Sequence, residues 1–132
     1  MENLKYRIEK DAIGEKQVPA DAYYGVQSLR AKENFKITGT TVHNEMVSAI
    51  AQVKQAAAIA NKNAGVLDAK IADAIVAACK EILDGKFRDQ FIVDAIQGGA
   101  GTSLNMNANE VIANRAIEIL GGTKGDYSIV LN

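Results

Sequence analysis

A chain of 132 residues that is 48 % apolar has the length and composition of one domain with a sizeable core, which excludes compositional disorder. Its 15 basic and 16 acidic residues leave a formal net charge of -1 with no basic patch or tail. That balance argues against a nucleic-acid groove or an anionic membrane surface as partner.

The charged start, "MENLKYRIEK", lacks the apolar stretch of an export signal, and no run approaches a membrane span. The single cysteine, Cys79, excludes an internal disulfide and suits a reducing compartment, so a cytoplasmic domain is expected. The first elements predicted are two brief strands around Gly14, a small N-terminal hairpin. Pro19 and Asp21 supply a helix start, and Tyr23 to Phe35 read as a short helix that tolerates Gly25 at about 1 kcal/mol against alanine. A loop, "KITGTTVH", leads to Asn44, a good N-cap for the next helix.

In that helix Met46, Ile50, Val53, Ala57 and Ala60 recur at steps of four and three, while Val47, Ala51, Ala58 and Ile59 widen the apolar surface. Such a helix is normally enclosed by neighbours. Gly65 ends it. Asp68 caps a third helix with Ile71, Ile75, Ala78, Cys79 and Ile82 on one stripe, and Gly85 stops it. The last helix is predicted from about Ser103 to Leu120, with Ile112, Ala113, Ala116, Ile117 and Leu120 inward, before Gly121 and Gly122. The fold class is therefore mostly α, four main helices with a small N-terminal β-hairpin, in one domain over residues 1–132. The final "YSIVLN" is apolar where termini are normally polar and loosely held, so the chain reads as cut from a longer one.

The run "QGGAGTSLNMNANEVIANRA", residues 97 to 116, concentrates costly residues at a helix start. Its glycines allow a sharp turn and a close backbone approach to a ligand. Thr102 and Ser103 sit beside the unpaired amides and positive end of the last helix, a place to hold a carboxylate or phosphate. Asn105, Asn107, Asn109 and Asn114 together forfeit roughly 2–3 kcal/mol of helix propensity, which tertiary hydrogen bonds or ligand contacts must offset. Three readings compete. One is a glycine turn followed by a helix whose asparagines bond neighbouring loops. A second is a dinucleotide or phosphate loop after a "FIVDAI" strand, although "GGAGTS" lacks the Lys-Ser/Thr pair of a P-loop and Leu104 replaces the third glycine of GxGxxG. The third is a carboxylate site built from neutral donors.

The stretch "GGAGTSLNMNANEVIANRA" resembles a signature of the aspartase/fumarase superfamily, and "VPADAYYGVQSLRAKENFKI" resembles its N-terminal signature. The Gly-Gly-Ala-Gly-Thr-Ser form is more similar to the aspartase branch than to the fumarase one. The resemblance runs from Arg7 to Asn132 and implies a helical N-terminal domain in a homotetramer built on the long helices of a later domain. It implies reversible removal of ammonia from L-aspartate to give fumarate, without an organic cofactor. It places Thr102 as a contact to the substrate carboxylate, with Gly101 and Ser103 beside it and the asparagines holding the loop. The family's base, a serine in a Gly-Ser-Ser loop with nearby lysine and asparagine, has no counterpart here, nor have its Ser-Thr-Asn and Thr-His segments. No catalytic residue is therefore expected in this chain, which alone should be inactive and self-associate, through "YSIVLN" among other open surfaces. A fumarase-like hydro-lyase, or a non-catalytic helical interaction domain on the same scaffold, are the alternatives.

The only histidine, His43, reads as a solvated loop residue, and with no second histidine or cysteine cluster there is no metal-site spacing. Cys79 reads as core. Tyr23 and Tyr24 read as packing residues, and Arg30 as a structural ion pair.

Overall fold

The computed structural model describes residues 5–131; Met1 to Leu4 of the charged start and Asn132 of the last apolar run lie outside the described residues. Alternation along β1 (Tyr6–Lys10) turns Arg7 and Glu9 inward and leaves Tyr6 and Ile8 exposed, so the hairpin presents its charged face to the protein. Its partner β2 (Glu15–Pro19) pairs antiparallel, Ile8 opposite Gln17, and buries Val18. Arg7 explains the inversion. Its guanidinium donates to the carbonyls of Pro19, Ala20, Ala22 and Tyr24, and pairs with Glu9 at 2.7 Å. Glu9 in turn accepts the amide of Val26 at 2.9 Å. The hairpin turn is held by Asp11, which accepts the amides of Ile13 and Gly14 and is gripped by Arg30 at 2.8 Å. The structural reading of Arg30 holds.

Helix α1 (Val26–Asn34) starts three residues later than its sequence suggests, because Gly25 is its N-cap and not an interior residue. A Cβ at Gly25 would collide with the Tyr127 hydroxyl and lie 2.6 Å from Glu9 Oε2 and 2.8 Å from Glu110 Cδ. The glycine is there for close approach.

Helix α2 (Asn44–Asn63) is capped by His43 rather than by Asn44: the imidazole Nδ1 accepts the Glu45 amide at 3.2 Å. His43 is exposed, as expected, but it has this local task. The helix buries only Val47, Ala51 and Ala58. Met46 and Val53, expected inside, are 53 % and 64 % exposed, so one flank of α2 is open within the described residues.

Helix α3 (Ala69–Leu83) is capped by Asp68 as expected, and buries Ala72, Ala74, Ala78, Cys79 and Ile82. Burial pushes the Cys79 thiol pKa up to about 12, consistent with a packing role. The segment Phe91 to Ile96 forms no strand; a 3₁₀ turn (Arg88–Gln90) precedes it and one isolated bridge joins Asp94 to Thr41. Without a parallel sheet among the described residues, the dinucleotide-loop reading loses its scaffold.

Helix α4 (Thr102–Ile119) is the central element, packed on α1, α2 and α3. Val47, Cys79, Ile82, Phe91 and Val111 form one core cluster. Ala113, Ala116 and Ile117 form a second with Ala74 and Val130. Leu120, expected inward, is the exposed C-cap. The run "YSIVLN" is largely absorbed: Val130 is buried, Ile129 and Tyr127 pack on α4, and Leu131 is the exposed apolar side chain.

Candidate functional site

The loop before α4 is shaped by its glycines. Gly99 and Gly101 have φ of +72° and +84°, the left-handed region that favours glycine, and the Gly101 amide folds back onto the Gly99 carbonyl at 2.8 Å. A Cβ at Gly98 would come within 3.1 Å of the Phe35 ring. The loop therefore lies close on α1 and turns abruptly into α4.

Gly101 is the N-cap of α4 and offers no side chain to the first-turn amides. Two of those amides have partners: Leu104 donates to Gln97 Oε1 at 2.7 Å and Asn105 to the Gly101 carbonyl at 3.0 Å. Among the described residues, the amides and hydroxyls of Thr102 and Ser103 have no hydrogen-bond partner. Thr102 is exposed and Ser103 half-buried. The structure thus brings Gly101, Thr102 and Ser103 together at the positive end of an 18-residue helix, with two amides and two hydroxyls open. Thr102 and Ser103 border a groove of about 600 Å³ between α1 and the start of α4, shared with Gln27, Arg30 and Met106. A larger groove, about 790 Å³, runs past Lys32, Phe35, Arg88 and Asp94 and does not include them.

Such a site can hold an anion with neutral donors. The Arg30 charge in the groove is already paired with Asp11, whose pKa the guanidinium lowers. Lys54 of α2 reaches Asn105 Oδ1 at 2.6 Å and adds positive charge beside the first turn.

The asparagines do not hold the glycine loop. Asn107 accepts the amide of Ile92 at 2.8 Å and donates to the Gln90 carbonyl at 2.9 Å. Asn114 donates to the Tyr23 carbonyl and accepts the Gly125 amide, both at 2.7 Å. Asn105 meets Lys54, and Asn109 approaches only the Met106 sulfur. They tie neighbouring loops to α4, which is the blander of the sequence readings. Tyr23 donates to Glu118 at 2.7 Å, and burial with that carboxylate raises its pKa to about 12. Tyr24 packs beside the main core and the Val18 cluster.

Sequence reasoning missed three residues that position the site. Glu110, fully buried, accepts the amides of Gly25, Gln27 and Ser28 and the Ser28 hydroxyl, and so caps α1 from α4. Burial raises its pKa against those four donors. Asp94 accepts the amides of Ile37, Thr38, Gly39 and Ile96. Gln97 joins Leu104 to the Asp94 carbonyl. A signal for Glu110 exists: Asn107, Glu110 and Asn114 fall at steps of three and four, one polar stripe along the helix.

A family profile described as lyase matches residues 14–130. The chain belongs to this lyase family, that of the aspartases and fumarases. The lyase domain is 64 % identical over 123 residues to the aspartate ammonia-lyase of Bacillus subtilis, covering 93 % of this chain and 26 % of that protein. It is 57 % identical over 121 residues to a class II fumarate hydratase of Halobacterium salinarum, covering 92 % of this chain and 26 % of that one. A crystal structure of fumarate lyase:delta crystallin from Brucella melitensis superposes with a TM-score of 0.93 at 52 % identity, over 96 % of this chain and 30 % of that chain. The lyase domain therefore spans about a quarter of the length of the curated relatives it matches. No helix among its described residues is long and apolar enough to cross a membrane.

Proposed function

We propose that this chain is the N-terminal part of an ammonia-lyase that converts L-aspartate reversibly to fumarate and ammonia, and that Gly101, Thr102 and Ser103 hold a substrate carboxylate. One observation carries the site: the first turn of α4 leaves two amides and two hydroxyls open beneath a glycine N-cap. The similarity to aspartate ammonia-lyases supports the chemistry. In that reaction a base removes a proton from the carbon beside a carboxylate, the C–N bond breaks, and ammonia leaves as the double bond forms. Negative charge grows on the carboxylate oxygens as the proton departs. Donors already aimed at those oxygens strengthen with it, and lower the barrier without reorganising.

The base is supplied from outside these residues, so the chain contributes binding and electrostatics and is inactive by itself. The complete protein works as a cytoplasmic homotetramer without an organic cofactor. The test is the complete protein with Thr102→Ala. Losing one donor should cost roughly 2–4 kcal/mol of transition-state stabilisation, read in kcat/KM, with the tetramer intact. A near-normal kcat/KM would make Thr102 structural.

A second reading, a hydro-lyase acting on malate and fumarate, is favoured by the similarity to a class II fumarate hydratase. Both reactions use the same carboxylate donors. Assaying the complete protein on L-aspartate and on malate separates them.

A further inference from the structure

The first turn of α4 is capped in an unusual way. A helix start leaves its first amides without partners, and a Ser, Thr, Asp or Asn at the N-cap normally folds its own side chain over the second or third. Such a side chain at position 101 would cover the place where an anion meets Thr102 and Ser103. Gly101 avoids that, and its φ of +84° is one that other residues rarely adopt. The cap comes instead from four residues upstream. Gln97 Oε1 accepts the Leu104 amide at 2.7 Å, the one first-turn amide a ligand seated on Thr102 and Ser103 does not need.

The other end of the same amide is also committed: Gln97 Nε2 donates to the Asp94 carbonyl at 2.9 Å. Only this orientation of the amide satisfies an N–H on one side and a C=O on the other. Asp94 is itself anchored, because its buried carboxylate gathers the amides of Ile37, Thr38 and Gly39 and the Thr38 hydroxyl at 2.8 Å. The glycine loop is thus tied to α4 by the neutral Gln97 side chain, while the Asp94 carboxylate ties the segment before it to the 37–39 loop. Neutrality matters for the chemistry. A carboxylate in the same place would serve the Leu104 amide equally well but would offset the positive end of the helix and repel an anionic ligand.

We propose that Gln97 is the positioning residue of this site: an uncharged cap supplied from outside the helix, which fixes the Thr102–Ser103 donors and keeps the helix end available to a dicarboxylate. The inference rests on the reading of Gly101, Thr102 and Ser103 as carboxylate donors.

The test uses the complete enzyme that carries this chain, with L-aspartate as substrate, and four variants: Thr102→Ala, Gln97→Glu, Gln97→Ala and the double Gln97→Ala/Thr102→Ala. Gln97→Glu still caps the Leu104 amide but loses its donor to the Asp94 carbonyl, so its thermal midpoint should fall no further than that of Gln97→Ala, while KM rises at least about tenfold from a like charge beside the ligand. Gln97→Ala should lower kcat by about ten- to a hundredfold through loosened donors, with the tetramer preserved. The double variant should lose less than the product of the two single losses, because the Thr102 hydroxyl is among the donors that Gln97 positions. A normal KM in Gln97→Glu, or additive losses in the double variant, would overturn the proposal. Wild-type kinetics in Thr102→Ala would remove the underlying reading instead, and that is decided before any Gln97 variant is measured.

Discussion

Glu110 and Ser28 meet in the interior, the Ser28 hydroxyl 2.5 Å and its amide 3.1 Å from the same carboxylate oxygen. The amide of Gly25 reaches that oxygen at 2.7 Å and the amide of Gln27 reaches its neighbour at 2.8 Å. Glu110→Ala strands the buried amides of Gly25 and Ser28 and the part-buried amide of Gln27, and is expected to cost about 3–5 kcal/mol. Ser28→Ala removes one bond of the set and is expected to cost about 1 kcal/mol. Urea denaturation of the 132-residue chain measures both, and equal losses would contradict the assignment of Glu110 as the hub.

Gly25 lies where that hub is most crowded. Gly25→Ala is expected to destabilise by roughly 1–3 kcal/mol through overpacking, not through backbone strain, since its φ of -120° suits any residue. The methyl group would strike the Tyr127 hydroxyl first. Tyr127→Phe removes that hydroxyl, so the double variant should lose less than the sum of the two single losses. Strict additivity would place the strain elsewhere.

Asp94 sets an acid limit on the 37–39 loop. Hydrogen bonds from the Ile96 amide, the Thr38 hydroxyl and the Gly39 and Thr38 amides hold its pKa below the ordinary 3.8, outweighing the effect of burial. The unfolded chain takes up the proton first as pH falls. The stabilisation is therefore complete above 3.8 and is lost as pH drops from there through the depressed folded value. Asp94→Asn should flatten the fall of the denaturation midpoint below that pH, and an unchanged slope would exclude Asp94 as its source.

The open flank of α2 is the surface expected to associate. Met46, Val53 and Ile59 lie on it exposed, whereas of "YSIVLN" Leu131 is the apolar side chain left outside. Val53→Glu should shift the 132-residue chain toward monomer in sedimentation, and Leu131→Glu should change little. A clean monomer of the unsubstituted chain at high concentration would end this expectation.

Much of the architecture is legible along the chain, because local rules write it. Asp68 and Gly85 bracket α3, the stripe from Ala78 to Ile82 faces the core, and the glycines at 99 and 101 occupy positive φ ahead of α4. The errors share a cause. Gly25 reads as a tolerated interior glycine because the carboxylate that makes it an N-cap stands 85 residues away. Met46 and Val53 read as core because periodicity gives a face but not the neighbour that covers it. The asparagines read as loop clamps because they adjoin the glycines in sequence, while α4 points them at Gln90, Ile92, Tyr23 and Gly125. Gly101, Thr102 and Ser103 were legible as a cluster from their order alone. Gln97 was not, since nothing in the word "QGG" says which amide its side chain will reach.

The reach of Glu110 also orders assembly. Pairing of α2 with α3 closes a short loop and can form early, whereas the hub joins positions 82 to 85 residues apart. Closure over that distance carries an entropic toll that packing of α2, α3 and α4 must first offset. Folding of this domain is accordingly expected to end where α1 docks its amides onto Glu110, and substitutions there should speed unfolding while leaving the refolding rate nearly untouched.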